Sequence, residues 1–148
     1  MCFSSEDSEQ WEDSPVEFVR AHADAFDEVT STSGSASNFL TTVATKRTKN
    51  AFMPQLEFIT KVMNTYQAAG NAGNAREKEG ALHMTLALNV VMLNTEGVES
   101  MLEPFFQQHV IPEMKSQHKE LRFRSVELVR TFGSRMAWKE ESVRFSNI

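Results

Sequence analysis

Apolar residues recur at three- and four-residue steps through most of this chain, in two consecutive helix pairs related by a nearly constant spacing. Over 51–67, Phe52, Leu56, Ile59, Val62, Met63 and Tyr66 form one amphipathic stripe, with Pro54 in the first turn where a missing amide proton costs little. Residues 75–93 follow the break Ala69-Gly70-Asn71-Ala72-Gly73-Asn74. They begin charged, at Arg76-Glu77-Lys78-Glu79, and turn apolar nearly all round from Ala81, which predicts a helix covered on more than one side. In 98–115, Val98, Met101, Leu102, Phe105, Phe106 and Met114 mark one face, and Pro112 should kink or end that helix. The last strong helix, about 118–132, carries Leu121, Ser125, Leu128, Val129 and Phe132, with Gly133 placed as a C-terminal cap. Lys78-x-x-Ala81 opens the second helix of one pair and Arg122-x-x-Ser125 that of the next, 44 residues on. Phe52/Leu56/Ile59 reappear as Val98/Leu102/Phe105 at a spacing of 46.

A helical hairpin repeating at about 40–47 residues is the signature of HEAT and armadillo repeats. The small residue has a packing reason: Ala or Ser lets the second helix approach its neighbour closely. The expected fold is therefore all-α, an α-solenoid of about three HEAT/armadillo-like hairpins in right-handed superhelical stacking. A four-helix bundle satisfies the same periodicity. No strand pattern competes. The whole chain, 1–148, reads as a single segment with an acidic leader over 1–35 and stacked hairpins over 36–148. The leader holds a short helix from Ser14-Pro15 to about His22, then the polar link Thr30-Ser31-Thr32-Ser33-Gly34-Ser35. Residues 36–48 make a modest helix with Phe39, Leu40, Val43 and Ala44 on one side. Residues 134–146 read as one more short helix, with Met136, Trp138 and Val143.

Fifteen Lys and Arg against twenty Asp and Glu give a net charge of −5, which argues against direct nucleic-acid binding. One cysteine, Cys2, leaves no internal disulfide and no cysteine-rich zinc site, and fits the cytosol or nucleus better than secretion. The start, Met1-Cys2-Phe3 followed by Ser4-Ser5-Glu6-Asp7, lacks the basic and apolar regions of a signal peptide. The most apolar stretch, Ala81 to Leu93, falls short of the roughly 20 residues that span a bilayer, so no membrane contact is expected. No nucleophile elbow, phosphate loop or zinc-binding helix motif is present. His22, His83, His109 and His118 are not at ligand spacing, and His83 reads as a hydrogen-bonded core or groove histidine. No catalytic residue, metal or cofactor is expected. The basic run Lys46-Arg47-Thr48-Lys49 suits a solvated helix C-terminus. The acidic leader interleaves Trp11 and Phe18 with carboxylates, which suits a basic protein partner as well as packing.

Several of these stretches resemble one family in the same order. Lys78-Glu79-Gly80-Ala81-Leu82-His83-Met84 looks like the Lys-Asp-Gly-Ala-Leu-His-Met stretch of the importin-β superfamily, in its importin seven/eight branch. Trp11-Glu12-Asp13-Ser14-Pro15-Val16-Glu17-Phe18-Val19-Arg20 resembles that branch's Trp-x-x-Asp-Pro-x-Glu-Tyr/Phe-Ile/Val-Arg element, with Ser14 where Asp is usual. Lys46-Arg47 closes a helix as in the family. Met101-Leu102 with His109-Val110-Ile111-Pro112 is similar to its Met-Leu…His-Val-Phe-Pro helix, and Leu121-Arg122-Phe123-Arg124 to its Met-Arg-Ala-Arg start. The resemblance covers about residues 3–138.

What the resemblance implies is an internal part of a nuclear import receptor. Such receptors bind cargo on a concave face, contact nucleoporin Phe-Gly repeats in grooves between outer helices, and release cargo when the small GTPase Ran binds in its GTP form. They shuttle between cytoplasm and nucleus through the nuclear pore. The residues it marks for protein binding are Trp11, Asp13 and Glu17 in the leader, Lys78, His83, Arg122 and Arg124 in the second helices, and Phe58 and Met101 as contacts for Phe rings. The cargo implied is basic. The competing reading is a helical scaffold that mediates protein contact without transport.

Overall fold

In the computed structural model, residues 4–23, 31–70 and 73–136 are described, and every regular element among them is helical. In chain order these are α1 (Ser5–Asp13), α2 (Pro15–Ala23), α3 (Thr32–Lys46), α4 (Met53–Ala69), α5 (Ala75–Ala87), α6 (Asn89–Leu93), α7 (Glu99–Phe105) and α8 (Lys119–Gly133). Two hairpins form the body, α4 with α5, and the arm of α7 and its continuation over 106–115 with α8, which packs chiefly on that continuation. The second helices lie side by side: α5 packs against α8 on one flank and α3 on the other, while α4 covers it from the adjoining layer. This two-layer stacking is the all-α, HEAT-like solenoid that the 44-residue spacing predicts.

The core runs through both layers. Phe52, Ile59, Met63, Leu82, Leu88, Leu102, Phe106, Leu121, Leu128 and Phe132 are each at most 2% exposed. Phe106 and Phe132 join the two arms of the second hairpin, with ring centroids 5.2 Å apart. Ala81 on α5 and Ser125 on α8 are both buried where these helices meet, as the small-residue positions require. Replacing Ala81 by Leu should overpack this contact and lower stability by about 1–3 kcal/mol. Urea unfolding followed by circular dichroism measures it, and an unchanged midpoint would put Ala81 outside the tight contact.

Four local features depart from the periodic pattern. The link around Ser31 is already helix: Ser31 caps α3, its hydroxyl accepting from the Gly34 amide at 3.0 Å, so the helix starts at Thr32 rather than 36. The stretch 75–93 is interrupted at Leu88, where the Asn89 side chain donates to the Leu86 carbonyl at 2.7 Å and competes with the backbone. Gly133 lies in the last turn of α8 without a left-handed conformation, so it is not the cap expected there; Gly70, with φ 54°, is instead the positive-φ residue that ends α4. The expected helix over 134–146 lies outside the described residues beyond Met136.

The fourth departure has a single cause in two places. A π-helical turn over Thr48–Phe52 leads into α4, and another over Phe106–Val110 follows α7, before a 3₁₀ turn at Ile111–Lys115. Met53 N–H reaches back to Thr48 O, and Ile111 N–H to Phe106 O, five residues in each case. Each of these donors immediately precedes a proline, Pro54 or Pro112. A proline ring clashes with the carbonyl four residues back in an α-helix. Widening the preceding turn moves that carbonyl aside and retains a hydrogen bond. Pro112 therefore reshapes the helix from Phe106 onward instead of ending it abruptly.

Candidate protein-interaction surface

The acidic leader folds back as a helical hairpin. Ser4 and Asp7 form a reciprocal cap on α1: the Asp7 amide donates to the Ser4 hydroxyl at 3.0 Å, and the Ser4 amide to the Asp7 carboxylate at 2.7 Å. The chain turns at Ser14, and Pro15 starts α2 with its φ already set for a helix. α1 packs on α2.

The hairpin sits on α8, far along the chain. Phe18 is fully buried, with Trp11 edge-on at 5.4 Å, Phe123 edge-on at 5.1 Å and the His22 ring at 4.0 Å. Trp11 also meets Phe123, at 5.9 Å. Glu12 forms an ion pair with Lys119 at the start of α8. Phe123 points away from the core line Leu121–Ser125–Leu128–Phe132, so α1 and α2 cover the side of α8 opposite the hydrophobic layer. Six carboxylates, of Glu6, Asp7, Glu9, Glu12, Asp13 and Glu17, stand on this hairpin against the single arginine Arg20. Glu6, Glu9 and Asp13 are exposed to solvent.

A second concavity lies between the end of α4 and the π-helical and 3₁₀ turns that follow α7. Its volume is about 760 Å³ and its lining is polar, with Tyr66, Lys78, His109, Glu113 and His118 among the walls. Lys78 is 3% exposed; its ammonium pairs with Glu113 at 2.8 Å and lies 4.4 Å from the Tyr66 ring centroid. Burial first, and then Lys78, lower the His109 pKa; burial first, and then Glu113 and Glu120, raise that of Tyr66. An unfolded histidine takes up its proton near pH 6.5, while the native imidazole stays neutral to lower pH. The native state therefore loses stability relative to the unfolded one as pH falls below about 6.5. The stability advantage of wild type over His109→Gln should be larger at pH 7.0 than at pH 5.5, measured by urea unfolding. A difference that stays flat or grows on acidification would contradict the shift.

The resemblance between this chain and known proteins is consistent along its length. The Cse1 family matches residues 1–145. Importin-8 of Mus musculus is 30% identical over 144 residues, 97% of this chain and 14% of that protein. The probable importin-7 homolog of Dictyostelium discoideum is 32% identical over 134 residues, covering 89% of this chain and 13% of its own length. The importin beta-like SAD2 homolog of Arabidopsis thaliana is 32% identical over 82% of this chain and 12% of its own length. The chain belongs to the importin-β family. It spans between 12% and 14% of the length of these relatives. No solved structure matches significantly.

Within this importin-β segment, the marked residues fall into three settings. Trp11, Asp13 and Glu17 come together on the leader hairpin: Trp11 is half-buried in the aromatic cluster, Asp13 is exposed, and Glu17 pairs with Arg20 at 2.8 Å on the surface. Phe58 on α4 and Met101 on α7 are 54% and 67% exposed. Of the remaining four, Lys78 and Arg124 are buried, and His83 and Arg122 are partly buried. Arg124 is 6% exposed and bonds Glu79 at 2.8 Å and Glu127 at 2.6 Å. Lys78 is held by Glu113, and Arg122 donates to the Ser116 and Gln117 carbonyls at 2.7 and 3.1 Å. His83 is half-buried. Lys78 and Glu79, adjacent in sequence, thus each clamp one repeat to the next. Glu79 and Glu113, the buried or nearly buried acids of these clamps, were not marked by sequence reasoning. The signal was present in Glu79, a carboxylate one turn into a helix that becomes apolar all round, where an acid needs a cation.

Proposed function

We propose that this chain is a protein-binding segment of a nuclear import receptor, and that the leader hairpin is its surface for basic cargo. The observation that carries the reading is the hairpin itself: six carboxylates on two short helices, locked onto α8 by Trp11, Phe18 and Phe123. A rigid acidic surface raises the local concentration of a cationic partner and holds it in one orientation. The family relationship supplies the transport role, with Ran in its GTP form and nucleoporin Phe-Gly repeats as the other partners. The exposed Phe58 and Met101 offer apolar contacts for Phe rings. Binding is non-covalent throughout, and the receptor shuttles between cytoplasm and nucleus.

The test is a double charge reversal, Glu9→Lys with Asp13→Lys, assayed against a fluorescent lysine- and arginine-rich peptide. Each screened contact changes from attraction to repulsion, a swing of about 1 kcal/mol, so affinity should fall roughly tenfold or more and the salt dependence should weaken. Equal binding by the reversed protein would remove the hairpin from the cargo surface.

A further inference from the structure

The turn between α1 and α2 offers a free nucleophile. Ser14 is the single residue that links the two helices, and Pro15 holds it extended, at φ −155° and ψ 90°. Its neighbours Asp13, Pro15 and Val16 are exposed. Elsewhere in the fold, a polar side chain just before a helix bonds an amide of the first turn: Ser4 accepts from Asp7, Ser31 from Gly34 and Asn74 from Glu77. Ser14 stands in the same place before α2, yet among the described residues nothing bonds its hydroxyl. Its backbone is fixed, since the Phe18 amide donates to the Ser14 carbonyl at 3.0 Å. The hydroxyl therefore plays no part in holding the hairpin together.

The residue that follows selects a chemistry. Ser14-Pro15 is the one place in the sequence where a serine or threonine precedes proline. Proline brings no amide donor. A kinase whose groove offers no acceptor at that point takes proline freely, and leaves the N–H of any other residue unpaired. We infer that Ser14 is a phosphorylation site for a proline-directed serine/threonine kinase, modified on the docked hairpin. In the transfer, Ser14 Oγ forms a bond to the γ-phosphorus of Mg-ATP, the bond from that phosphorus to the bridging oxygen breaks and ADP leaves, and the hydroxyl proton passes to the kinase's catalytic aspartate. The phosphate adds about 1.5–2 negative charges at pH 7. It faces the positive end of the α2 dipole, where the vacant cap leaves the Glu17 amide to receive it, so the hairpin keeps its shape. Exposed Asp13 and Glu17 flank the new charge. That modification strengthens attraction for a basic partner is a consequence resting on the cargo reading above; the acceptor role of Ser14 does not depend on it.

The 148-residue chain, incubated with a purified proline-directed kinase and Mg-ATP, should gain one phosphate, mapped to Ser14 by fragmentation mass spectrometry. Ser14→Thr should retain the modification and Ser14→Ala should lose it. Pro15→Ala should slow it about tenfold or more, because the alanine amide is left unpaired in the kinase. The purified phosphorylated chain should then bind a lysine- and arginine-rich peptide about fivefold more tightly than the unmodified one, with a steeper salt dependence. Wild type that takes no phosphate, or takes it only at another residue, would overturn the site and leave the cargo reading standing. Equal rates for wild type and Pro15→Ala would overturn the kinase class. Phosphate at Ser14 with no gain in peptide affinity would uphold the site and overturn the cargo reading.

Discussion

Arg124→Met is expected to destabilise the protein by about 3–5 kcal/mol, because it removes the guanidinium that pairs with the buried Glu79 carboxylate. Glu79 is fully buried, and Arg124 meets it through Nε at 2.9 Å and Nη2 at 2.8 Å while holding Glu127 through Nη1. A carboxylate that cannot reach water must either stay ionised at high cost or take up a proton. At about 2–4 °C per kcal/mol for a chain of this size, the melting temperature should drop by roughly 10 °C. Replacing both partners, Glu79→Leu with Arg124→Met, should recover most of that loss, since an apolar pair of similar volume asks for no compensation. A double variant as unstable as Arg124→Met alone would mean that the arginine acts through its packing rather than its charge.

The second large effect is local. Phe18→Ala should remove about 3–5 kcal/mol of packing, the usual range for truncating a buried phenylalanine. The hairpin touches α8 through the aromatic cluster and the Glu12–Lys119 pair, whereas α3 to α8 share the continuous core. Loss of Phe18 should therefore release α1 and α2 while the stacked hairpins stay folded. Amide exchange over residues 4–23 should accelerate sharply with little change in α5 and α8. In a Trp138→Phe background, the Trp11 emission should shift to the red as its ring enters water. A lowered global melting temperature with the hairpin amides still protected would show instead that the hairpin and the body unfold as one unit.

The body of the fold was legible because burial there follows a helical period. Phe52, Ile59 and Met63, or Leu121, Leu128 and Phe132, face one way whatever surrounds them, and the 44-residue spacing announces stacking. Helix α1 was not legible on those terms, since its nine residues bury none of their number and its start is written in a polar cap, Ser4 with Asp7. The π-helical turns were foreshadowed only by their prolines. Sequence shows that Pro54 and Pro112 must disturb a helix, but not that the chain responds by widening the turn before them. The interaction surface divides in the same manner. Trp11, Asp13 and Glu17 fall on one hairpin because they are neighbours in sequence, with the Trp11 ring turned to the aromatic cluster and the two carboxylates to solvent. Lys78 and Arg124 look like available cations until the partner repeat supplies Glu113 and Glu79. Residue type identifies a charge; only packing shows which way it points. The docking of Phe18 on Phe123 joins distant parts of the chain, and no local pattern encodes it.

That docking has a consequence for synthesis. Glu12 and Lys119 are 107 residues apart. At about 5–20 residues per second, the ribosome needs on the order of 5–20 s between making the two. For that interval the nascent hairpin has no surface for Trp11 and Phe18, whereas each later hairpin finds its neighbour soon after it emerges. The leader is thus the part of this chain most open to capture by a chaperone before α8 arrives.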